Sequence, residues 1–337
     1  MYFEFSEDQR LLQETVGEML AKECTHEMLA EAWETETGSV PGLWDQLSEV
    51  GVLGLTTPED HGGLGMGFVD LVLLLEECGR YAVPEPVVET AAVAAPLLAE
   101  AGGSVAEEWL PKIAAGEARV AVGLECNPTV ADAGVADLLL LQRGDELHGV
   151  PASDAKLTAQ QSVDGARRAF RVDWSPGPAT LIADGEVARS LAKRALNRGA
   201  VAMAAQLLGL GRQLIDLSVE YAKGRVQFGQ PIGAFQAVKH HLANAHTKLE
   251  FSRPPTYYAA WSIDEQRPDV DLQVSTAKAL TGDAAHLCFR TALQAHGAIA
   301  YTYEYHAHMW MKRVLVLERQ YGDAAWHRAR AATALLG

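Results

Sequence analysis

EYAKGRVQFGQPIGAFQAVKHHLANAHTKLE, residues 220–250, decides the reading of this chain. Both ends have helical texture, and Gly224, Gly229, Pro231 and Gly233 interrupt the helix between them. Outward from this break, Ala-rich helical segments run from Val187 to the C-terminus, with further breaks expected at SRPP, DEQRPDV and AHGAIAY. That predicts four or five helices packed as a bundle. Between Glu117 and Ala183 the texture changes to short β-leaning runs, VADLLLLQ and AFRVDW among them, separated by Gly, Pro, Asp and Asn. The LLLL run alone fits either helix or strand. Upstream, Ser6 and Gln9 make a capping box ahead of Leu12, Val16, Met19 and Leu20 at helical spacing. LWDQLSEVGVLGL continues the helical pattern and stops at TTPEDHGGLG. FVDLVLLLEECGRYA and VVETAAVAAPLLAEAG are too apolar for one wet face and are expected to be buried on several sides. The fold class is therefore mainly α with a small middle β domain: a helical segment 1–117, a shortened β segment 118–186 and a C-terminal helical bundle 187–337.

Lys and Arg number 28 against 44 Asp and Glu, a net charge of −16, and a surface of that sign would not neutralise nucleic-acid phosphates. A local basic group can still receive a small anion. Cys24, Cys78, Cys126 and Cys288 are far apart, which points to a reducing interior and to no metal or disulfide framework. His306 and His308, two apart, do not share a helical face, and no metal site is expected. The acidic start MYFEFSEDQRLL lacks the layout of a signal peptide, and no apolar run approaches the ~20 residues that span a bilayer. A cytoplasmic protein is expected.

Residues 220–250 resemble the signature of the acyl-CoA dehydrogenase family, an Arg-x-x-Phe-Gly turn after one helix and a Phe-Gln at the start of the next: here Arg225, Phe228, Gly229, Phe235 and Gln236. QAHGAIAYTYEYHAHMWMKR is similar to the family's Gln-x-x-Gly-Gly segment with its later Glu-Tyr and Arg: Gln294, Gly297, Glu304, Tyr305 and Arg313. WDQLSEVGVLGLTTPEDHGGLG and EWLPKIAAGE match family patterns as well. The resemblance implies an acyl-CoA substrate, FAD, and an electron-transfer flavoprotein or similar acceptor. It also implies that Arg225, Phe228, Phe235, Gln236, Gln294 and Gly297 clamp the ADP half of an FAD whose flavin ring lies mainly on a neighbouring subunit. The chemistry suits that role. Arg225 offers a cationic fork for pyrophosphate, Phe228 an apolar flank, and the two glutamines donors and acceptors for adenine or ribose. Gly297 allows close backbone approach.

The resemblance fails where the reaction needs a base. The family's glutamate in Tyr-Glu-Gly falls on Gly322 of Tyr321-Gly322-Asp323, and the alternative position falls on Gly199, next to Arg198. Without a positioned base the α-proton of the thioester is too weakly acidic to leave. Asp323 could substitute, although an Asp before AAWHRARAATALL also reads as a helix cap. Glu318 precedes it by more than a helical turn, and Glu304 matches a family glutamate that is not the base. The flavin-ring segment Thr-Glu-Pro-x-Ala-Gly-Ser-Asp is replaced by VGLECNPTVADAGVADLLLL, where Glu125 and Pro128 are a remnant. This pattern resembles the smaller, base-lacking subunit of heteromeric α2β2 acyl-CoA dehydrogenases of actinobacteria that act on sterol side-chain CoA esters. It implies a homologous catalytic partner that brings the base and the flavin-ring contacts. Two other readings stand beside it: a self-sufficient homo-oligomer using Asp323, and a scaffold without redox chemistry.

Overall fold

The computed structural model describes residues 4–336. The first three residues, part of the acidic start judged unlike a leader, and Gly337 lie outside the described residues. α1 (Glu7–Glu23) opens with the expected box: Gln9 N–H donates to Ser6 Oγ at 3.2 Å and Ser6 N–H to Gln9 Oε1 at 2.8 Å. α2 (His26–Glu34), α3 (Leu43–Glu49) and α4 (Phe68–Arg80) follow, then a π-helical stretch, Val88–Ala94, running into α5 (Ala95–Ala101) and α6 (Gly103–Ala114). Residues 71–79 of α4 and the whole π-helical stretch are buried, as their continuous apolar character predicts.

Two small sheets form the middle. β1 (Val120–Gly123), β3 (Leu138–Arg143), β4 (Glu146–Pro151) and β7 (Leu181–Asp184) order as β1-β3-β4-β7. β2 (Val130–Ala131), β6 (Ala169–Asp173) and β5 (Lys156–Gln160) make the second. The ambiguous leucine run is β3, and its alternation explains four consecutive apolar residues. Leu138 and Leu140 join the main helical core, while Leu139 and Leu141 face the second sheet.

α7 (Gly185–Gly224) is the spine, packed against α4 and α9 (Val270–His296). α4 and α7 meet almost backbone to backbone, because a Cβ at Gly79 would strike the Gln206 carbonyl and one at Gly209 the Glu76 carbonyl. α8 (Gln236–Asp264), α10 (Ala307–Leu317) and α11 (Ala324–Leu336) complete the bundle. The break expected at SRPP does not occur: α8 runs through Pro254 and Pro255. Two prolines in a helix cost about 3 kcal/mol each in isolation, and tertiary anchors offset that here. Arg253 pairs with Glu76 of α4, Tyr257 Oη donates to Glu76 at 2.6 Å, and Ser252 and Thr256 are buried against the bundle. Among the described residues no helix is long and apolar enough to cross a membrane.

Candidate functional site

The end of α7 builds the first part of the site. Arg225 caps that helix, its N–H donating to Tyr221 O at 2.9 Å, and its side chain is exposed. A two-residue hairpin follows between β8 (Val226–Gln227) and β9 (Gln230–Pro231). Both of its turn residues lie at positive φ, Phe228 at 52° and Gly229 at 81°, which is the twist such a turn needs. Phe228 is consequently thrust outward, 92% exposed, its ring edge-on to Phe235 at 6.2 Å. Phe235 precedes α8, and Gln236, exposed, is its first residue.

The second part is the end of α9. Gln294 and Gly297 line a cleft of about 550 Å³ with His286, Phe289, Arg290 and Tyr301. Gly297, at φ 66°, turns the chain out of the helix. The two helix ends are joined by an aromatic stack that the sequence reading missed. The Tyr221 ring lies 4.5 Å from His296 and 5.8 Å from Tyr305, and His296 lies 4.8 Å from Tyr305. Tyr221 is one turn before Arg225 and His296 immediately precedes Gly297, so the stack brings the two signatures to one edge. His296 Nδ1 is 2.8 Å from Ala292 O, and burial lowers its pKa, so it packs as a neutral ring. Tyr221, one turn before Arg225, and His296, inside the Gln294–Gly297 segment, were the available signal.

The stack continues to His306, 4.9 Å from Tyr305, and to His26 of α2, 4.0 Å from His306. Burial, then the nearby His26, push the His306 pKa down to about 4. A histidine depressed in the folded state is neutral there while the unfolded chain takes up a proton below about pH 6.5, so its contribution to stability is lost as pH falls from 6.5 towards 4. The denaturation midpoint is expected to fall over that window and His306→Phe to flatten the profile; an unchanged slope in the variant argues against this histidine.

The remaining predicted positions lie elsewhere. Asp323 is exposed, and its Oδ1 accepts from Trp326 N–H at 2.8 Å, an N-terminal cap of α11. Glu318 Oε2 is 3.0 Å from His286 Nδ1, and Glu304 is exposed. Glu125 closes the β3–β4 turn by accepting from Gly144 N–H at 2.7 Å. Gly322 sits at φ 91°, and a Cβ there would come within 2.5 Å of the Trp326 ring and 3.0 Å of His327 Nε2. At Gly199 a Cβ would come within 2.6 Å of Tyr321 Cζ. Tyr321, 1% exposed, thus lies over the second of the two positions where the resemblance puts a base.

Beside it is a buried ion cluster that sequence reading gave no sign of. Arg167 pairs with Glu89 and Asp132 and donates to Gln320 Oε1 at 3.0 Å. Burial raises the Asp132 pKa, and Arg167 draws it back. Nearby, Arg313 pairs with Asp164 and donates to Val83 O at 2.7 Å. Arg313 is thus a buried tie between layers.

An exposed cation, two exposed glutamines and an adjoining cleft suit the ADP half of a dinucleotide. Asn127, in the segment matching the family's flavin contacts, accepts Tyr321 N–H at 2.8 Å and lines a cleft of about 410 Å³. This helix–sheet–bundle architecture, with exposed Arg225 and the Gln294 cleft at one edge, is that of a flavoprotein oxidoreductase. The chain belongs to the acyl-CoA dehydrogenase family: the family's N-terminal domain matches residues 6–117 and its C-terminal domain residues 189–336. It is 32% identical over 310 residues to the acyl-CoA dehydrogenase IpdE2 of Mycolicibacterium smegmatis, covering 91% of this chain and 92% of that one. In fold it is similar to a chain of the ChsE4-ChsE5 complex from Mycobacterium tuberculosis, with a TM-score of 0.88, 24% identity and 99% of both chains covered. It is also similar to a chain of a Tcur3481-Tcur3483 steroid ACAD variant, with a TM-score of 0.88, 24% identity and 98% of both chains covered.

Proposed function

We propose that this chain is the clamp-bearing subunit of a heteromeric, FAD-dependent acyl-CoA dehydrogenase, and that a homologous partner brings the base and the flavin-ring contacts. The observation that carries the reading is the split of the site. Arg225, Phe228, Gln236, Gln294 and Gly297 stand on one exposed edge, while both positions for a base are glycines packed against aromatic rings. FAD, when bound, supplies hydride acceptance in α,β-desaturation of the thioester. This chain's part is to hold the diphosphate with Arg225, flank it with Phe228 and Phe235, and present amide groups to the adenosine. Similarity in fold to a chain of a two-protein complex and to one of a steroid ACAD favours an α2β2 assembly and a bulky, steroid-type acyl group. A self-sufficient enzyme using Asp323 is less favoured, because that carboxylate is committed to a helix terminus.

Co-expression with a partner of the same family should give one FAD per unlike pair and none on this chain alone. In that assembly Asp323→Asn is expected to leave flavin content and turnover unchanged, with a stability loss of no more than about 1 kcal/mol from the altered cap. A fully flavinated homo-oligomer whose flavin bleaching vanishes in Asp323→Asn would replace this reading with the self-sufficient one.

A further inference from the structure

We propose that this chain carries a second ligand site, apart from the dinucleotide edge, for an organic carboxylate with an apolar body. It is a cleft of about 660 Å³ where the starts of α4 and α9, the end of α8, α5 and the early turns of α7 meet. None of its lining residues belongs to the clamp or to the cleft beside Gln294.

Ser190, Lys193, Arg194 and Asn197 recur at three- and four-residue spacing, so they line one side of α7. Gly199 follows Ser190 by nine residues, which at ~3.6 residues per turn is about two and a half turns. It therefore points the opposite way, towards the Tyr321 ring, and the cleft lies behind the side where the resemblance puts a base. Glu100 sets the charge of the cleft. It accepts from Arg194 Nε at 2.8 Å and also from Arg198 Nη2, so two guanidiniums rest on one carboxylate. Arg198 Nη1 is buried with no hydrogen-bond partner, which leaves that guanidinium a donor unused. An unmade buried donor is costly, and an arriving acceptor recovers the cost. The other charges at the cleft are already engaged. Lys193 is 2.7 Å from Asp271, Arg267 donates to Asp269 at 3.0 Å, and Asp264 accepts Phe68 and Val69 N–H at 2.7 and 2.8 Å. The surplus positive charge at Arg194 and Arg198 thus stands out in a chain whose net charge of −16 repels most anions. Met66, Phe68, Pro96, Ile263 and Val270 supply apolar lining. A cationic corner beside apolar lining fits a monoanion with a hydrocarbon body. The planar carboxylate matches the guanidinium fork, whereas a bare phosphate gains nothing from the apolar side chains.

Calorimetric titration of the full-length chain with decanoate and with cholate tests the site. Saturable binding of one molecule per chain is expected, and the tighter of the two tells a linear from a polycyclic body. Replacing decanoate by 1-decanol, or the wild type by Arg198→Met, should each weaken binding at least ~10-fold, because each removes a charge-assisted contact. Ser190→Trp fills the cleft from α7 without removing a charge and should abolish binding, so the test stands even where Arg198→Met does not fold. Thermal midpoints identify the folded variants. The site is overturned by a lack of saturable binding for both carboxylates, or by equal affinity for decanoate and 1-decanol. Undiminished binding in either folded variant overturns it too, as does displacement of decanoate by equimolar inorganic phosphate.

Discussion

Replacing Arg167 by Met is expected to destabilise the chain by about 3–5 kcal/mol, the cost of leaving buried charges uncompensated. Glu89 and Asp132 are 1% and 4% exposed, and the Arg167 guanidinium pairs with both. Without it the two carboxyls are left in the core with no compensating charge. Burial already raises the Asp132 pKa, with Arg167 opposing that rise, so in the variant Asp132 should titrate higher still. The deficit therefore grows as pH rises above the carboxylate range and shrinks in acid. Urea denaturation of both proteins at pH 5 and pH 8 checks the sign. Adding Glu89→Gln and Asp132→Asn to the variant removes the stranded charges and should recover most of the loss; no recovery would mean that packing, not charge, explains the defect.

Arg225→Ala should have the opposite profile, leaving stability alone and weakening cofactor retention. Arg225 is exposed and forms no ion pair among the described residues, so the fold loses little. A charge-assisted contact to phosphate is worth about 1.5–3 kcal/mol, so FAD should dissociate from the assembly roughly 10- to 150-fold more readily. Arg225→Lys keeps the charge but not the two-pronged geometry, and should fall between. Equilibrium dialysis of the co-expressed assembly, read beside its thermal midpoint, distinguishes the two effects. Unchanged flavin content in Arg225→Ala would remove this residue from the clamp.

These two arginines also mark how far the sequence could be read. Arg225 announces itself through neighbours at fixed spacing, because a helix end, a tight turn and the next helix are local events written in consecutive residues. Arg167 sits in an unremarkable polar stretch, and its partners Glu89 and Asp132 are 78 and 35 residues away. No local pattern encodes such a meeting. The prolines at 254 and 255 teach the same lesson from the other side: local propensity says break, and contacts from Arg253 and Tyr257 to Glu76 overrule it. The run Leu138–Leu141 was undecidable by periodicity because a strand buried on both faces has none, and only the flanking core and second sheet make it a strand.

By itself, then, the sequence determined the helical-sheet-helical order, the family and the absence of a glutamate at Gly322 and Gly199, and it nominated the residues proposed for the clamp. These are properties of short windows, where spacing and residue type are sufficient. Only the tertiary structure decided that Tyr221 and His296 stack the two signatures onto one edge and that Tyr321 lies over Gly199. Those are contacts between segments that close packing brings together, and they depend on shape in three dimensions that no single stretch of residues carries.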